Sequence, residues 1–131
     1  MLSIVVPVRN ESENLKRVFQ YFSENLKDIS YEVLIINDFS KDDTFKKSQE
    51  LSSELKNFII LDNKKKGLGG AINLGILKAS GENVAIMMAD QSDDINDLIK
   101  YYEIISTENY DAILGSRFLK NSKVNDYPVQ K

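Results

Sequence analysis

A chain of 131 residues with 42% hydrophobic content is long enough to bury one core and too short for two ordinary domains. Its net charge of −3 and scattered Lys and Arg leave no basic face for nucleic-acid phosphates, so nucleic acid is excluded as a partner. With no cysteine and no histidine, disulfides and thiolate zinc sites are absent, and any catalysis must rest on carboxylates, Lys, Arg, Tyr or a metal held by oxygen. The start MLSIVVPVRNE lacks a basic leader region, and no apolar run approaches bilayer length, so the sequence reads as soluble.

The first apolar run, LSIVVPV (2–8), is followed by NESE and then by Leu15, Val18, Phe19, Phe22 and Leu26 at helical spacing. Asn10 is expected to cap this helix, with Glu13 replying from the third position. The second run, YEVLIIND (31–38), leads into a weaker helix carrying Phe45, Leu51 and Leu55, for which Asp42, Asp43 or Thr44 would form the start. FIILDN (58–63) comes next, then a helix holding Ala71, Leu74, Leu77 and Lys78. NVAIMMAD (83–90) precedes a strongly periodic helix with Ile95, Leu98, Ile99, Tyr102 and Ile105, and YDAILGS (110–116) is a fifth apolar run. Short runs rich in Val and Ile, alternating with helices, predict an open, mostly parallel α/β sheet of five strands covered by helices on both faces.

In such sheets ligands collect beyond the carboxyl ends of the strands, where the strand order reverses. There the sequence puts Pro7, Arg9, Asn10 and Glu11 after the first strand, Asn37, Asp38 and Ser40 after the second, Asp90 to Asp94 after the fourth, and Ser116 and Arg117 after the fifth. Carboxylates gathered on one edge repel unless a cation compensates, and Mg²⁺ or Mn²⁺ takes oxygen ligands together with substrate phosphates. Each acid also has a plainer use. Asp93 and Asp94 suit helix capping, and Asp38 suits an Asx-turn. In KKKGLGGAINLG the third glycine of a dinucleotide fingerprint is missing and no Walker sequence exists. Lys64, Lys65 or Lys66 with the Gly67 amide could approach a diphosphate, or could form a solvated basic turn.

Together SIVVPVRNE, VLIINDFSKDDT, KGLGGAINLGILKASGE, VAIMMADQSDD and AILGSRF resemble the successive motifs of family 2 glycosyltransferases with the GT-A fold, and most of all the dolichol-phosphate mannosyltransferase and polyprenyl-phosphate sugar transferase group. The resemblance runs from residue 3 to about residue 128. It implies transfer of a sugar from a UDP- or GDP-sugar to a lipid-linked or glycan acceptor, with Pro7, Arg9, Glu11, Asp38, Lys66 and Gly67 on the donor. It also implies that Asp90, helped by Ser92, holds Mg²⁺ or Mn²⁺, and that Arg117 approaches the donor phosphates. Met88 stands where the family's metal motif has its first acid, Asn37 where a first aspartate is usual, and Arg9 where an aromatic residue is common. By the same resemblance, residues 1–131 are expected to be the donor-binding part of a longer domain, cytoplasmic or at the cytoplasmic membrane face, with an open sheet edge that favours self-association. The other expectations weighed are a non-catalytic nucleotide-binding or scaffolding domain of this fold, and a receiver-like module, which would want paired acids after the first strand.

Overall fold

Every position of β1 (Leu2–Val8) and all but the first of β2 (Tyr31–Asn37) are buried, as near-continuous Val/Ile/Leu runs require when both sheet faces are covered. A computed structural model of the protein describes residues 1–116 and adds β3 (Phe58–Asp62) and β4 (Asn83–Ile86) to these strands. The helices are α1 (Leu15–Asn25), α2 (Thr44–Ser52), α3 (Leu68–Lys78) and α4 (Ile95–Thr107). All pairings are parallel, in the order β3-β2-β1-β4, so the direction of winding reverses between β1 and β4.

Side chains alternate across the sheet as its pleat demands. Ile4, Val6 and Val8 join Val33 and Ile35 beneath α1, where Leu15, Val18, Phe19, Phe22 and Leu26 complete the larger core with Ile95 and Leu98 of α4. Phe19 stacks on Phe58 with centroids 4.3 Å apart. Val5, Leu34 and Ile36 point the other way and meet Ala71 of α3. That contact is close: a Cβ on Gly75 would lie 2.2 Å from Val5 Cγ1, so only glycine lets α3 approach β1 this far. On the same face Val84, Ile86 and Met88 stay exposed, because α3 covers β1 and β2 but not the β4 edge.

The fifth expected strand does not form: residues 110–116 have no strand structure, and Leu114 is 90% exposed. The helix faces supply the reason. Right-handed crossovers from β1 to β3 put α1 and α2 on one face, and the return from β3 to β4 puts α3 on the other. Because α4 packs with α1, a parallel strand added outside β4 after it would need a left-handed crossover, which the chain avoids.

At the amino edge of the sheet the buried Glu32 lies opposite Ser3. Its Oε1 accepts from Ser3 Oγ (2.6 Å), Ser80 N (2.7 Å) and Ser80 Oγ (2.8 Å), and Gly81 N donates to Ser3 Oγ. Burial alone would raise this carboxyl's pKa, but the donors outweigh it and hold it below the ordinary 4.5.

Candidate functional site

A cleft of about 230 Å³ opens where the winding reverses, lined by Pro7, Val8, Arg9, Glu11, Asp38, Leu68, Met88, Ala89 and Asp90. It is the crevice at the carboxyl ends of the strands that an open α/β sheet reserves for ligands. Pro7, Arg9, Glu11, Asp38 and Asp90, read from three separate sequence motifs, therefore line one cleft.

The loops that carry them are tied across the edge. Asn10 does not cap α1: its N–H donates to Ser40 Oγ at 3.0 Å, and its Oδ1 accepts from Lys41 N at 2.8 Å. The residue before α1 is Asn14, whose side chain makes no cap bond and instead donates through Nδ2 to Glu11 Oε2 at 2.8 Å. Glu11 N donates to Thr44 Oγ1 at 2.8 Å, and Asp42 accepts from the hydroxyl and N–H of Thr44 and from Ser12 N. Led by the Thr44 hydroxyl, these donors draw the Asp42 carboxyl down from 3.8 to about 2. Left-handed backbone at Asn10 (φ 56°), Phe39 (φ 54°) and Gln91 (φ 59°) falls in the loops beyond β1, β2 and β4. For a residue as bulky as Phe39 that conformation costs about 1–2 kcal/mol, which the surrounding bonds must hold in place.

Asp38 is 4% exposed. Its N–H continues the β1–β2 ladder to Val8 O, and its Oδ1 accepts from Asn63 Nδ2 and from Gly67 N, both at 2.8 Å. Asn63 also donates to Lys65 O and accepts from Lys65 N, folding the β3–α3 loop onto its own side chain. Gly67, at φ 116°, adopts a backbone only glycine takes easily and stands at the start of α3. Lys66 is exposed and, like Lys64 and Lys65, does not line the cleft. Gly67 reaches the site through Asp38. In the sequence Asn63 is simply the last residue of the apolar run FIILDN; its partners lie 25 and two residues away, and no local pattern marks it.

The acids after β4 divide their work. Asp94 caps α4 by accepting from Asn96 N at 2.8 Å, as expected. Asp93 Oδ2 accepts from Met88 N at 2.9 Å, and Tyr21 of α1 fixes the end of this turn by accepting Ile95 N at 3.0 Å and donating to Asp93 O. Asp90 is exposed in the cleft, and among the described residues its Oδ1 accepts only from Ser92 N, at 3.0 Å. No group of three or more His, Cys, Asp or Glu side chains among the described residues could cage a metal. A lone carboxylate with open coordination beside a cleft fits a hard cation that also binds substrate phosphates. The Met88 thioether, 38% exposed on the same wall, is too soft to add a ligand. Ser92 contributes its N–H to Asp90, and Arg117 lies outside the described residues. Among the described residues no helix is long and apolar enough to cross a membrane.

The family described as Glycosyl transferase family 2 matches residues 3–131. The chain is 35% identical over 130 residues to a dolichol-phosphate mannosyltransferase of Pyrococcus furiosus, covering 99% of this chain and 37% of that protein. It is 31% identical over 142 residues to a dolichyl-phosphate beta-glucosyltransferase of Trichomonas vaginalis, covering 99% of this chain and 44% of the other. The chain thus spans less than half the length of these relatives. Among solved structures, S. aureus TarS in complex with UDP-GlcNAc superposes with a TM-score of 0.63 at 22% identity, over 80% of this chain and 31% of that one. The shared architecture is the GT-A fold, with four parallel strands among the described residues where five were expected. A receiver-like module is set aside by the same match: the chain belongs to glycosyl transferase family 2.

Proposed function

We propose that this chain forms the donor-binding part of an enzyme that transfers a sugar from a nucleoside-diphosphate sugar to a lipid-linked acceptor, with a polyprenyl phosphate as the acceptor class. The observation that carries the reading is the convergence of Pro7, Arg9, Glu11, Asp38 and Asp90 on one cleft at the switch point. The acceptor class follows from the relatives named for dolichol-phosphate and dolichyl-phosphate substrates.

In this reading the base and ribose lie along Pro7, Glu11 and Asp38, and the diphosphate extends toward Asp90. The acceptor oxygen attacks the anomeric carbon, the bond from that carbon to the β-phosphate oxygen breaks, and the nucleoside diphosphate leaves with the electron pair. Mg²⁺ or Mn²⁺, when bound, neutralises the charge that grows on the departing diphosphate. Asp90 would hold that ion, and the Ser92 N–H keeps the carboxylate turned. Arg9 supplies a fixed positive charge at the cleft. Arg117, at the motif position the family uses for donor phosphates, is assigned the same task.

Calorimetric titration with UDP and GDP, with and without Mn²⁺, tests binding; absence of binding by both would overturn the reading. Met88 in the cleft favours a second one, a nucleotide-binding domain without transfer. Product formation from labelled nucleotide sugar and polyprenyl phosphate by the full-length protein decides between them.

A further inference from the structure

We infer that the loops after β2 and β3 form a surface that docks on an anionic lipid bilayer, with Lys41, Lys64, Lys65 and Lys66 on its phosphates and Phe39 and Leu68 at its apolar boundary. The inference goes beyond the proposed sugar transfer and draws on it only for its purpose, since a lipid-linked acceptor lies in such a surface.

The two loops leave the sheet side by side, because Asn37 and Asp62 are partners at the carboxyl ends of β2 and β3. Their backbones are tied down. Lys41 N donates to Asn10 Oδ1, Asn63 closes on both backbone groups of Lys65, and Gly67 N donates to Asp38 Oδ1. A Cβ on Gly70 would run into Lys65 O, so glycine lets the first turn of α3 press on this loop. The lysine side chains take no part in these ties. All four are exposed, and the ion pairs seen among the described residues, Lys46 with Glu50 and Lys100 with Asp97, lie elsewhere. A firmly held loop whose cations hold nothing within the fold presents them to an external anion.

Phe39 is 44% exposed and Leu68 51% exposed, and neither belongs to either core. Phe39 stands two residues before Lys41, and Leu68 two after Lys66. Apolar side chains set among lysines suit a peripheral membrane surface, the former entering the headgroup boundary while the latter meet phosphate. The acids nearby do not cancel these charges pairwise: Asp38 is buried, Asp42 accepts from Thr44 and Ser12, Asp62 accepts from Asn37 Nδ2, and Asp43 stands exposed just before α2. Four cations are too few to follow a run of nucleic-acid phosphates, but each adds roughly fivefold to affinity for an anionic leaflet. The chain as a whole carries a net charge of −3, so an anionic surface repels its other sides and selects this edge. The mouth of the cleft, which Leu68 lines, is thereby turned toward the lipid.

The test is co-sedimentation of the chain with vesicles of phosphatidylcholine alone and of phosphatidylcholine with phosphatidylglycerol. Lys64→Glu/Lys65→Glu and Phe39→Asn are compared once circular dichroism has established their fold; asparagine suits the left-handed backbone at position 39. The wild-type chain should bind only the anionic vesicles and leave them in about 1 M salt, where the screening length is about 3 Å. The double charge reversal should weaken binding at least about tenfold, and Phe39→Asn a few-fold. Equal binding to both vesicle types, no binding to the anionic ones, or undiminished binding by the folded double variant would overturn the assignment. An unchanged Phe39→Asn would strike Phe39 from the surface. A single-stranded RNA oligonucleotide bound more tightly than the anionic vesicles would give the lysines to nucleic acid instead. Should the double reversal not fold, Lys64→Gln/Lys65→Gln carries the same comparison. Nucleotide titration of the same samples is read separately: vesicle binding without nucleotide binding would overturn the proposed function and leave this surface standing, and the reverse result would do the opposite.

Discussion

The phenol oxygen of Tyr21, in the middle of α1, accepts the backbone N–H of Ile95, the first residue of α4, at 3.0 Å. One side chain thus joins two helices of the same layer and anchors the turn that carries Asp90. Tyr21→Phe would remove the only side-chain partner seen for that N–H among the described residues. The expected cost is about 1–2 kcal/mol of stability, read by urea unfolding, with a few-fold weaker metal-dependent nucleotide binding as the turn loosens. Unchanged values of both would show that the turn is held by Asp93 and Asp94 alone.

Asp90→Asn keeps the Ser92 bond, since an amide oxygen accepts as a carboxylate does, but removes the charge facing the cleft. Nucleoside-diphosphate affinity in Mn²⁺ should fall roughly a hundredfold, about 2.7 kcal/mol, while affinity without metal changes little. Equal affinities for wild type and variant in Mn²⁺ would take Asp90 out of the metal's coordination.

Acid should act on Glu32 in a defined direction. Its folded-state pKa is lowered from 4.5, so its contribution to stability is fully present above that value and is lost as pH falls through the lowered one. Glu32→Gln removes this titration. The stability difference between wild type and variant should be flat from pH 7 to about pH 5 and shrink below it, as followed by denaturant titration at each pH. Asp42 adds an acid loss of its own lower down, between 3.8 and about 2, in both proteins.

Gly75→Ala tests the fit of α3 on the sheet. The added methyl would sit 2.2 Å from Val5 Cγ1 in the centre of β1, so the helix must move out or Val5 must turn. A loss of about 1–3 kcal/mol is expected, although alanine is the better helix former by about 1 kcal/mol. A gain in thermal stability would mean that the helix rides more loosely than this contact implies.

These particulars separate what the sequence discloses from what it withholds. LSIVVPV and YEVLIIN are legible because burial on both faces leaves no room for polar residues, and composition alone reports it. YDAILGS has the same look, but whether an apolar run pairs depends on which sheet edge is reachable with the correct hand, which no local pattern records. Asn10 has the residue type and spacing of a helix cap, and a partner thirty residues away claims it. Pro7, Glu11, Asp38 and Asp90 meet in one cleft because strand ends share an edge, whereas Asn63 acts through contacts that exist only once β2 and β3 lie side by side. The lysines of KKKG drew attention by charge and do not line the cleft.

The place of β1 in the order β3-β2-β1-β4 has a kinetic consequence. Its pairing with β2 joins Leu2 to Tyr31, but its pairing with β4 joins Leu2 to Asn83, closing a loop of roughly eighty residues. As the chain emerges from a ribosome, β1, β2 and β3 can assemble while the far side of β1 still lacks its neighbour. The wall bearing Met88 and Asp90 is then the last to arrive, and the cleft comes into being in the same step that seals the edge of β1.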